Sequence, residues 1–162
     1  MTKMDEHEPS AHGEANSEDR GQGMTSPAGD VIDLRLPPKA AYRTALRAIL
    51  GAIAATVSFN YDEIMQLRIA VSEAFDMAVR HMAQRPQAPE EAGVDIRFII
   101  TTDTIEFTVS APFDGGKILG DEPDMESQGV LRGMMDEVDL GPGTDNKTVV
   151  RAVKRRSSPA DH

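Results

Sequence analysis

The residues whose types and spacing suit chemistry are concentrated in one segment, Leu67 to Met82, which reads LRIAVSEAFDMAVRHM. It carries the carboxylates Glu73 and Asp76, with Arg80 and His81 close behind. On a helix Asp76 and Arg80 are i, i+4 partners, and Glu73 lies one heptad before Arg80 on the same side. Taken alone, this set reads as a solvated, ion-paired face. The other use of a carboxylate so placed is proton transfer to or from a reacting group. No acid or nucleophile in the sequence is identifiable as a partner for His81, which reads as a packing or capping residue. His7 and His12 sit in a polar N-terminal stretch and read as incidental rather than as metal ligands. The absence of cysteine excludes a thiol nucleophile, a disulfide framework and thiolate metal sites.

A helix must position these groups. Ile64, Leu67, Val71, Ala74, Phe75, Ala78 and Met82 recur at three- and four-residue steps, and Asn60 with Glu63 has capping-box spacing. This predicts a helix from Asn60 to about Ala83, ended by Pro86 and Pro89. Ahead of it, Tyr42, Leu46, Ile49, Leu50, Ile53 and Val57 predict a first helix from Lys39 to about Ser58. Val31, Leu34 and Leu36 predict an opening strand, stopped by Pro37-Pro38. Behind it, Val94, Ile96, Phe98 and Ile100, then Ile105, Phe107 and Val109, alternate with polar residues about Thr102-Asp103, an antiparallel hairpin.

From Pro112 to Pro123 the sequence reads as a Gly- and Asp-rich loop. A short helix from Gly129 to Met135, a strand around Val138 to Leu140, a turn at Gly141-Pro142-Gly143 and a last strand from Thr148 to Val153 complete the chain. The order β-α-α-β-β-α-β-β has too few helices to cover both faces of a sheet. It predicts an α+β two-layer sandwich, mostly antiparallel, with the helices on one face.

The 162 residues suit one domain plus some tail. Residues 1–29 are polar and acidic with almost nothing to bury, and read as a disordered tail. To residue 30 they hold seven acids against Lys3 and Arg20, half of the formal net charge of −10. Residues 30–155 form the body and 156–162 a flexible tail, with fraying expected from Lys154 onward. No long apolar run and no signal-peptide pattern are found, so a cytoplasmic protein with no membrane contact is expected. The negative charge and the lack of a basic patch in the body argue against direct nucleic-acid binding and for a protein partner or small ligand.

The segment from Leu67 to Met82 resembles the N-box helix of the GHKL (Bergerat-fold) ATPases. It is most similar to the anti-sigma factor serine kinases of the RsbW and SpoIIAB kind, whose helix typically reads L-x-x-A-V-S-E-A-x-T-N-A-V-x-H. Leu67, Ala70, Val71, Ser72, Glu73, Ala74, Ala78, Val79 and His81 agree. Gly133 to Leu140 (GMMDEVDL) resembles the family's stretch after its glycine box, and Thr148-Val149-Val150 its closing G-T-x-V strand. The resemblance spans Val31 to Val153 and implies the histidine-kinase-like ATPase fold.

Within this resemblance Glu73 is the catalytic carboxylate that polarises the attacking group next to the γ-phosphate of ATP. The family places an Asn four residues later to hold Mg²⁺, and here that position is Met77. A thioether is a soft, weak acceptor and Mg²⁺ wants oxygen, so a ligand is missing. Asp76, about 60° from Glu73 around the helix, replaces it as metal ligand only if the ion moves. The family's adenine-binding Asp falls by strand register near Ala111, which has no acceptor. Asp114-Gly115-Gly116 is either a shifted version of that D-x-G-x-G box or an ordinary turn. The phosphate-facing glycine turn survives only as Gly129-Val130-Leu131, and Thr148 belongs to the closing strand.

The resemblance therefore implies a regulator that binds a sigma factor, an anti-anti-sigma partner with a STAS domain, or both, as a homodimer, with ATP and magnesium binding weakened or lost. The alternative is an active ATP-dependent serine kinase acting on the anti-anti-sigma partner. A third reading is an adaptor that uses the same sandwich for another signalling partner.

Overall fold

The computed structural model describes residues 28–84, 92–112, 122–143 and 147–158. The expectations for the N-terminal tail through residue 27, the loop holding Pro86 and Pro89, and Asp114-Gly115-Gly116 lie outside the described residues. The elements are β1 (Asp30–Leu36), α1 (Arg43–Thr56, entered through a 3₁₀ turn at Ala40–Tyr42), α2 (Tyr61–Ala83), β2 (Val94–Ile100), β3 (Thr104–Pro112), α3 (Glu122–Met134), β4 (Glu137–Pro142) and β5 (Lys147–Arg155). The order is the one the sequence predicts.

The five strands form one antiparallel sheet in the order β1-β2-β3-β5-β4. β5 enters between β3 and β4, so β4 forms one edge of the sheet and β1 the other, while α3 packs mainly against α2. Alternate residues Val94, Ile96, Phe98 and Ile100 of β2 and Ile105, Phe107, Val109 and Ala111 of β3 point into the core, where Leu46 and Leu50 of α1 and Leu67, Val71, Phe75 and Met77 of α2 meet them. The intervening residues carry charge to the opposite face, where Arg97 pairs with Asp33 at 2.7 Å and Arg151 with Glu106 at 2.9 Å. The period of two thus separates an apolar inner face from a charged outer one. The fold is an α+β sandwich.

The start of α2 follows from its cap. Asn60 Oδ1 accepts from Glu63 N at 2.8 Å and Asn60 N donates to Glu63 Oε2 at 2.9 Å, so two helix-end donors are satisfied reciprocally. α1 ends differently: Ser58 adopts φ 60° and Phe59 N reaches back to Ala54 O at 3.4 Å, closing the helix in a left-handed turn without glycine.

Two boundaries differ from the sequence reading. α3 starts at Glu122, and Gly129 lies inside it rather than at a turn opening it. Pro123 is the cause: in a first helical turn its missing N–H is no loss, so it belongs to a helix start and not to the preceding loop. The C-terminal segment is anchored rather than frayed from Lys154. Lys154 and Arg155 continue the β5 ladder, Arg156 N donates to Asp103 O at 2.7 Å, and Ser157 N donates to Glu63 Oε1 at 2.6 Å. The buried Glu63 carboxylate therefore caps α2 with one oxygen and holds the chain end with the other.

Candidate functional site

The polar groups that the sequence places on α2 meet α3, and the junction is a connected network. Ser127 Oγ donates to Glu73 Oε2 at 3.0 Å. Arg80 Nη2 donates to Ser127 Oγ at 3.0 Å and to Asp124 Oδ1 at 3.1 Å. The other oxygen of Asp124 lies 2.8 Å from His81 Nε2. Asp124, Ser127 and His81 are all buried, which makes the pairing obligatory, because an unpaired polar group at such depth costs about 1–3 kcal/mol. Asp124, Ser127 and Leu131 are the buried positions of α3 at helical spacing, so one face of a single helix supplies both polar partners.

Asp76 turns away from this network. Its Oδ2 accepts from Arg43 Nη1 of α1 at 2.7 Å, so the Asp76–Arg80 pair along the helix is replaced by two pairs between helices. Met77 is 1% exposed and Ala111 is 2% exposed, and both belong to the hydrophobic core. Gly129 is exposed within α3, and a Cβ there would meet nothing within 4 Å, so no close approach requires a glycine. The backbone of Thr148 pairs with Ala111 across β3 and β5 and with Pro142 of β4; its side chain is outside the described atoms.

The structure thus brings Glu73 together with Arg80 and His81, and separates Asp76 from them. Asp124 and Ser127 are not among the residues that the sequence singles out. The available signal was Pro123 followed by an acid, the composition of a helix first turn. Among the described residues no group of three His, Asp or Glu is placed to hold a metal ion. Nor do Met77 and Ala111 fit Mg-ATP: neither side chain has an oxygen, and both are packed among apolar neighbours. No helix among the described residues is long and apolar enough to cross a membrane.

Glu63, at the start of the same helix, has a shifted pKa. Burial acts to raise it, but the hydrogen bonds from Ser157 and Asn60 and the charge of Lys154 together outweigh burial and hold it below the ordinary carboxylate range.

No protein-family model matches the chain. Individual relatives do. The serine-protein kinase RsbW of Bacillus subtilis (strain 168) is 32% identical over 120 residues, which is 74% of this chain and 64% of that protein. The serine-protein kinases RsbW of Bacillus pumilus and of Listeria monocytogenes serovar 1/2a are each 36% identical over 81 residues, half of this chain and about half of each relative. The chain thus spans about half to just under two thirds of the curated relatives it matches. The crystal structure of the RsbU and RsbW domains of a Mycobacterium tuberculosis protein superposes with a TM-score of 0.62 and 17% identity, covering 81% of this chain and 34% of that one, which shows a shared fold. With about a third of residues identical over most of its body and a shared fold, the chain is similar to the RsbW serine-protein kinases.

Proposed function

We propose that this protein is an anti-sigma-factor-like regulator that works by binding protein partners, a sigma factor and/or a STAS-domain anti-anti-sigma factor, with ATP binding weakened or lost. The observation that carries this reading is the pair Met77 and Ala111. Both stand where the family resemblance places oxygen ligands, and both are sealed in the core of an otherwise family-like fold. Partner binding uses outer surface and does not need a phosphate site, so it persists when nucleotide handling decays. The deciding experiment is gel filtration of the full chain with the sigma factor or STAS protein encoded nearest its gene, without nucleotide. A stable complex is expected; no complex with either counts against the reading.

An active serine kinase remains the second reading, favoured by the retained Glu73 carboxylate and by the relatives' names. Phosphoryl transfer to a STAS partner that disappears in Glu73→Gln would establish it. The proposal includes a homodimer. β1 is an edge strand, and Val31 on it and Tyr42 at the entry to α1 are large apolar side chains left exposed. Light scattering at tens of micromolar should give twice the chain mass; a mass near 17.6 kDa argues for a monomer.

A further inference from the structure

The hydroxyl seated on Glu73 belongs to the chain itself. A general base must lie within about 2.6–3.2 Å of the group it deprotonates. Ser127 Oγ donates to Glu73 Oε2 at 3.0 Å. Ser127 Oγ in turn accepts from Arg80 Nη2, and the serine is 3% exposed, so no second hydroxyl can reach Glu73 Oε2 from the α3 side. We infer that α3 is an internal plug: Ser127 occupies the place on Glu73 that an incoming hydroxyl would take, and Arg80, Asp124 and His81 latch it there.

The anchoring of α3 is divided along its length. Its apolar contacts with the core come from Leu131 and Met134, at the C-terminal end, where Met135 follows the last turn. The N-terminal half is held by Asp124 and Ser127, while Met125 between them is 64% exposed. Gly129 and Gly133 lower the intrinsic preference of the segment for helix. A helix held by apolar packing at one end and by a few polar bonds at the other opens first at the polar end. Opening there frees the Oε2 atom of the half-buried Glu73 and leaves the core intact. The plug rests on the reading of Glu73 as the reactive carboxylate, but not on nucleotide binding or on any partner.

The test is labelling of accessible carboxyl groups in the full chain with a water-soluble carbodiimide and an amine, read at Glu73 by peptide mass spectrometry, with no nucleotide or partner present. Glu73 should label more slowly than the exposed Asp62 in the unmodified protein. In Asp124→Asn its rate should rise about tenfold, the factor that 1.4 kcal/mol represents. In Ser127→Ala the rise should be smaller, at least about twofold on the same scale. Glu63, buried at the far end of α2, should label unchanged in both. If Asp124→Asn does not fold by circular dichroism, Ser127→Ala decides. Glu73 labelling as fast as Asp62 in the unmodified protein, or unaffected in every folded variant, overturns the plug. Absence of a partner complex bears on the proposed function and leaves this result untouched.

Discussion

His81 Nε2 and Asp124 Oδ2 lie 2.8 Å apart, both buried, and join the end of α2 to the first turn of α3. Asp124 also holds Arg80, so it serves two partners from a site 2% exposed. Asp124→Ala should therefore lower stability by about 1–3 kcal/mol, the range for leaving buried polar groups such as His81 and Ser127 with fewer partners. Urea unfolding checks this; a loss under about 0.5 kcal/mol, the usual surface value, would mean that the network contributes nothing.

Glu63 gives the fold an acid-sensitive joint. Its folded pKa lies below the unfolded value of about 4.3, so its contribution is complete above that value and is lost as the pH falls through the lower folded value. The stability difference between the protein and Glu63→Gln should be constant near neutrality and vanish under strong acid. Denaturation curves from pH 7 to pH 2 that stay parallel for the two proteins would contradict the assignment.

Ser58 holds a left-handed conformation at φ 60° on an exposed helix end, a geometry that suits glycine. Ser58→Gly should raise stability by about 0.5–1 kcal/mol, the relieved strain exceeding the added chain entropy. A lower melting temperature would show that the serine contributes a contact absent from this account.

Met77→Asn introduces, in apolar surroundings, the residue that the family resemblance implies at this position. At 1% exposure the amide would be buried among apolar side chains, at a cost of about 2–4 kcal/mol. The variant should unfold at lower denaturant and gain no phosphoryl transfer, because Ala111 still offers no acceptor. Restored transfer by this single change would place a nucleotide site where the core now stands.

What the sequence disclosed was local. The step of apolar residues and the Asn60–Glu63 spacing located α2, and strict alternation in β2 and β3 located the hairpin, because each signal depends on neighbours within a few residues. The partners of the site were not legible. An i, i+4 pair is worth only a few tenths of a kcal/mol, so tertiary geometry readily redirected Asp76 to Arg43 and Arg80 to Asp124. Pro123 reads either as the end of a loop or as the start of a helix, and the wrong choice hid both Asp124 and Ser127. The second oxygen of Glu63 is bound by Ser157, 94 positions away, a separation at which no spacing rule operates.

The central claim, a partner-binding regulator with failing nucleotide chemistry, is tested most directly by calorimetric titration of the unmodified protein with Mg-ATP. Losing a metal oxygen and the adenine acceptor costs about 1–3 kcal/mol each. Together they lower affinity roughly 30- to 10,000-fold. Weak or undetectable heat is predicted, whereas micromolar or tighter binding would falsify the claim and mean that Asp76 or Asp114 has assumed a role the missing residues had.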